Sequence, residues 1–144
     1  MNDLSDLTGR YALAVDDRDP AALAALFTAD AEFVQPPAVT RGDEAVVTRG
    51  ADAIVAVVMG GTAHLHATHH AVHQQVVDVH GDTAVGSVYC TAHHLYRGRD
   101  GLRDNVLAIR YRDDYRRVDG QWRIARRELV VDFAEDRAVT VPGT

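Results

Sequence analysis

The groups able to do chemistry in this chain are its histidines and a few acids set among apolar residues. The stretch H-L-H-A-T-H-H-A-V-H, from His64 to His73, carries five of the eight histidines. Imidazole titrates near neutrality and is the commonest transition-metal side-chain ligand, so the stretch suits proton transfer or metal binding. Its spacing serves a metal poorly. His69 and His73 would share a helical face at four-residue spacing, but the segment reads as strand, and neither carries an H-E-x-x-H pattern. No metal is expected. On a strand His69 and His70 point to opposite faces, so only one of them can look into an interior.

The acids divide by position. Asp19, followed by Pro20, reads as a helix N-cap, and Asp17 as surface. Asp16 lies off the stripe of Leu4, Leu7 and Tyr11, so it is either a solvated acid at a helix end or a carboxylate turned into a pocket. Asp113 sits between Tyr111 and Tyr115 on a strand face otherwise built of Leu107 and Ile109. A carboxylate there is either a second proton carrier or the partner of Arg126 or Arg127, since a buried acid needs an arginine or a raised pKa. Arg127 shares strand parity with Leu129, Val131 and Phe133, whereas Trp122 and Ile124 have the other parity.

These groups must be positioned by a helical first half and a stranded second half. Leu4, Leu7, Tyr11, Ala14 and Val15 predict a helix ending near Asp17, and Ala22, Leu23, Leu26 and Phe27 a short second one. Ala31 to Gln35 reads as a brief strand ended by Pro36 and Pro37, followed by a polar loop through Arg41-Gly42-Asp43. Gly50 to Val58 predicts a third helix that Gly60-Gly61 stops. From Thr68 onward, β-type runs are broken by hairpin signals at His80-Gly81-Asp82, Gly98-Arg99-Asp100-Gly101 and Asp119-Gly120. In the run from Thr83 to Arg97 the small apolar even positions, Ala84 to Ala92, face inward. Helices followed by a meander exclude a wound βαβ sheet and predict an α+β layer with helices on one face.

Composition narrows the function. With 144 residues, one core is the default and a single domain over 1–144 is expected. A net charge of −6 leaves no basic stripe for nucleic acid. The single cysteine, Cys90, excludes an internal disulfide framework and thiolate-rich metal sites, and fits a reducing compartment. No signal-peptide pattern opens the chain, and the longest apolar stretch, Ala51 to Met59 with Asp52 inside it, falls short of a membrane span. A cytoplasmic protein with no membrane partner is expected.

Together, Y-A-L-A-V-D-D-R-D with Tyr11, Asp16 and Asp19, L-F-T-A-D-A-E-F at 26–33, T-H-H at 68–70, G-D-T-A at 81–84 and Y-R-D-D-Y-R-R-V-D-G-Q-W-R-I-A-R-R at 111–127 form an ordered set. In that order they resemble the SnoaL-like branch of the nuclear-transport-factor-2 superfamily, which includes scytalone dehydratase, bile acid 7α-dehydratase and polyketide cyclases. The resemblance implies a cone-shaped barrel in which three N-terminal helices pack on a curved, mainly antiparallel mixed sheet around a pocket. It places Asp16 and His70 at the catalytic positions of the dehydratases, and Tyr11 at a tyrosine that contacts substrate. Val88 stands where the second histidine of scytalone dehydratase would fall, while His93 and His94 lie farther along.

The resemblance thus implies a cofactor-independent lyase or isomerase, dehydratase- or cyclase-like, acting on a hydrophobic polyketide-, steroid- or terpenoid-like molecule. An Asp–His pair can remove an α-proton and protonate a departing hydroxyl. Tyr11, Tyr111, Asp113, Val88 and Arg127 are the expected substrate-binding positions. A homodimer is implied as well. The alternative is a non-catalytic binding or assembly subunit, resembling the β subunit of aromatic-ring dioxygenases, because fold alone does not fix function.

Overall fold

The computed structural model describes residues 3–143. Helix α1 (Leu4–Asp16) starts where the Asp3 carboxylate accepts from the Asp6 backbone N–H at 2.9 Å, and it buries Leu7, Tyr11, Ala14 and Val15. Helix α2 (Pro20–Ala24) is capped by Asp19, which accepts from the Ala22 N–H at 3.0 Å. It stops short of Phe27 because that residue opens strand β1 (Phe27–Gln35), pairing with Ile124. Tertiary pairing overrides a short helical pattern there.

The expected polar loop holds two further elements, helix α3 (Pro37–Thr40) and edge strand β2 (Val46–Arg49). Both are too short to show periodicity in the sequence. Helix α4 (Ala51–Thr62) passes through Gly60 and Gly61 instead of stopping at them. Each glycine costs a helix about 1 kcal/mol, which the packing of Ile54 and Val58 offsets, and the Thr62 hydroxyl returns to the Val58 carbonyl at 3.0 Å. The described residues therefore hold four helices where three were expected.

Strands β3 (Ala67–His80), β4 (Thr83–Gly98), β5 (Gly101–Val118) and β6 (Gln121–Ala138) form the antiparallel meander. Sheet order is β2-β1-β6-β5-β4-β3, with β1 parallel to β6 and every other pair antiparallel. The mixed α+β architecture is the expected one, but the sheet is open, with β2 and β3 at its edges, and does not close into a barrel. Ala84, Val88, Cys90 and Ala92 face the core.

Two bulges in β6 settle its mixed parity. Tyr115 pairs with Ile124 but Asp114 with Arg126, so Ala125 is an extra residue that brings Ile124 and Arg127 to the same inner face. Likewise Ile109 pairs with Val131 but Ala108 with Phe133, so Asp132 is extra. Phe133, whose parity placed it with Arg127, consequently turns to the outer face, where it is 69% exposed. Strand β6 stays paired with β5 as far as Ala138 opposite Arg103. Among the described residues no helix is long and apolar enough to cross a membrane.

Candidate active site

Between the helices and the inner face of the sheet lies a cavity of about 700 Å³. Apolar walls come from Val15, Phe33, Val58, Leu107, Ile109 and Leu129. Volume and lining are those of a small-molecule site with a few polar groups fixing orientation.

Asp16, the last residue of α1, reaches the start of β3. One carboxylate oxygen accepts from the Thr68 hydroxyl at 2.9 Å and meets His70 Nδ1 at 2.7 Å; the other accepts from the His70 backbone N–H at 2.8 Å. Burial opposes the Asp16 charge, but hydrogen bonds from the His70 ring and backbone and from Thr68 outweigh it and hold the carboxyl below its usual range. An ionised acceptor fixes the proton on Nδ1 and leaves Nε2 as the exchanging atom. His70 lines the cavity, while Asp16 stands behind it. His69 is exposed on the opposite face, as strand alternation requires.

A second imidazole completes the arrangement. The His94 ring lies edge to face against His70, with centroids 6.0 Å apart and planes at 81°. Its Nδ1 donates to the Asn105 carbonyl at 3.1 Å, so Nε2 carries the lone pair. Burial is the largest influence on His94 and lowers its pKa, favouring the neutral ring. Tyr11 and Tyr111 also line the cavity, with centroids 5.8 Å apart. Burial pushes the Tyr11 phenol up to about 12 and Tyr111 well above its ordinary value, so both remain neutral hydrogen-bonding groups.

Three expected binding residues do not reach the cavity. Val88 is fully buried in the core. Asp113 takes both of its arginine contacts from Arg127, Nε at 2.9 Å and Nη2 at 2.7 Å, and accepts from the Tyr115 hydroxyl at 2.6 Å. Arg127, not Arg126, is the partner. Its guanidinium lies against both the Tyr11 and Tyr111 rings, 4.3 and 3.8 Å from their centroids. Burial disfavours the Arg127 charge, but Asp113 more than restores it and raises the pKa. The pair braces the tyrosines from behind.

The remaining histidines are dispersed. His93 lies on the outer face, where Nδ1 meets the buried Asp104 carboxylate at 2.6 Å, and His73 Nε2 meets the Thr91 hydroxyl at 2.7 Å. Among the described residues no three His, Cys, Asp or Glu side chains converge as metal ligands.

Residues 1–128 match the SnoaL-like domain family. Among solved structures, a Novosphingobium aromaticivorans protein provisionally designated a scytalone dehydratase is 28% identical, covering 95% of this chain and 87% of its own, with a TM-score of 0.78. A second protein from that organism, provisionally designated an aromatic ring hydroxylase, is 26% identical, with 92% and 90% covered and a TM-score of 0.76. The type 2 hexachlorocyclohexane dehydrochlorinase LinA shares the fold at 20% identity, with 98% and 93% covered and a TM-score of 0.81. No curated protein sequence matches the chain. The match over residues 1–128, on an α+β fold with dehydratase-like neighbours, makes this chain a member of the SnoaL-like domain family.

Proposed function

We propose that the protein is a cofactor-independent lyase or isomerase, dehydratase- or cyclase-like, acting on a hydrophobic polyketide-, steroid- or terpenoid-like molecule. The observation that carries this is the contact between Asp16 and His70 Nδ1 at 2.7 Å beside an apolar cavity. In a dehydration, His70 Nε2 removes the proton α to a carbonyl, and Asp16 stabilises the imidazolium that forms. Electrons of the broken C–H bond enter the enolate, whose oxygen Tyr11 or Tyr111 holds by a hydrogen bond. Collapse of the enolate expels the β-hydroxyl, which takes the proton back from His70 and leaves as water. His94 Nε2 accepts a hydrogen bond from that hydroxyl and orients it. Isomerisation uses the same proton transfer without loss of water.

Val85, Tyr89 and Phe133, exposed on the outer face of the sheet, support a homodimer through that face, and the unpaired Cys90 supports a cytoplasmic setting. One second reading is a non-catalytic subunit like the dioxygenase β subunits, because fold alone does not fix function.

Crystals soaked with hydroxylated polyketides and steroids test the proposal. It requires a bound molecule with a carbonyl-bearing carbon within hydrogen-bond or one-water reach of His70 Nε2. Density that avoids both histidines would leave the subunit reading.

A further inference from the structure

Of the fifteen arginines, Arg41 alone lines the cavity. Most other arginines are neutralised: Arg49 by Glu32, Arg103 by Asp136, Arg110 by Asp132 and Arg127 by Asp113. Arg41 makes no ion pair and no side-chain hydrogen bond with any described residue. Asp43 and Glu44 follow it closely in the chain without engaging it. Asp136, the one carboxylate on the cavity wall, is already held by the Tyr96 hydroxyl at 2.5 Å and by Arg103 Nε at 2.5 Å. The cavity rim therefore carries one uncompensated positive charge.

The backbone presents that charge from a fixed turn. Arg41 caps α3 in the left-handed region, at φ 63°, a conformation that glycine or asparagine adopts more cheaply. Its N–H donates to the Pro37 carbonyl at 2.7 Å, and Pro36 and Pro37 stiffen the approach.

Its placement in the fold is also informative. The turn follows β1, whereas His70 is on β3, four positions away in the strand order, so the two residues reach the one cavity from different ends of the sheet. A molecule touching both must reach across the cavity.

We infer that the substrate carries a carboxylate at the end remote from its reacting carbon, and that Arg41 binds it. The inference rests on the acid–base reading of the same cavity and deepens it by naming a substrate class, hydrophobic carboxylates. A guanidinium matches a carboxylate with two parallel N–H···O bonds, and the remote contact helps hold the reacting carbon at His70.

Calorimetric titration of the full chain with 2-naphthoate and with the uncharged 2-naphthamide tests this without any turnover. The wild type should bind naphthoate about fivefold to tenfold more tightly, a preference that weakens with added salt. Arg41→Gln should abolish the preference and leave naphthamide affinity unchanged. Arg99→Gln, which removes an exposed arginine outside the cavity, should retain it. If Arg41→Gln loses both ligands, Arg41→Lys decides: a retained preference supports the site, a lost one overturns it. Equal affinities, no binding of either probe to the wild type, or a preference that survives Arg41→Gln would also overturn it. Asp16→Asn should keep the preference, so failure of the acid–base reading and failure of this one give different results.

Discussion

Arg127 donates through Nε and Nη2 to the two carboxylate oxygens of Asp113, and both side chains are wholly excluded from water. A buried pair of this kind does little for stability relative to an apolar replacement, but halving it strands a charge. Arg127→Met should therefore cost about 3–5 kcal/mol in urea denaturation, while Asp113→Leu combined with Arg127→Met should recover most of the loss. A single variant as stable as the wild type would show that the pair is not buried as described.

Gly86 pairs with Asp113 across β4 and β5, and the Tyr115 ring occupies the space above it. A Cβ at position 86 would lie 2.8 Å from Tyr115 Cε2. Gly86→Ala must displace a buried tyrosine whose hydroxyl bonds Asp113, so overpacking should cost about 1–3 kcal/mol. Thermal unfolding checks this, and the double variant Gly86→Ala/Tyr115→Leu should lose less than the two single costs combined.

Acid should destabilise the fold in two stages. Burial lowers the His94 pKa, so below 6.5 the unfolded chain gains a proton that folded His94 does not, and stability falls as pH drops. The Asp16 carboxyl is also held low, so its contribution is present above 3.8 and is lost as pH falls through its lower folded value. Denaturation midpoints between pH 7 and 3 report the sum. NMR titration of the ring should place His94 below 6.5, and a value above it would contradict the buried, neutral imidazole.

Fold class was legible because the helical stripe of α1 and three hairpin turns are strong local signals. Asp16 and His70 became candidates through family resemblance, since helical spacing alone left Asp16 off the apolar stripe. The parity of β4 already sets His94 on the inner side with Ala92, but which of His69 and His70 joins it was hidden by a bulge in β3. Near the turn, β3 and β4 pair as Val79 with Ala84 and Gln75 with Val88, a register that would set His70 opposite His93. One extra residue between Val72 and Gln75 shifts it, so His70 faces Ala92 and joins His94 on the inner side. Register slips of one residue exchange the faces, and nothing in the residue types around His73 and Gln74 announces this one. The bulges at Ala125 and Asp132 misled in the same way, leaving Ile124 at odds with Arg127 and sending Phe133 to the outside. Short elements such as α3 and β2 owe their form to pairing with β1 and to the two prolines, which periodicity does not reveal.

The central claim is that Asp16 and His70 transfer protons as a unit. Asp16→Asn keeps the size of the side chain and removes its charge, so its turnover, measured beside the wild type on a β-hydroxy carbonyl compound of the polyketide or steroid panel that the wild type dehydrates, tests the claim most directly. The expected result is a loss of about 10²–10⁴-fold in kcat with the cavity still able to bind ligand. An Asp16→Asn protein that turns over at the wild-type rate would contradict the account.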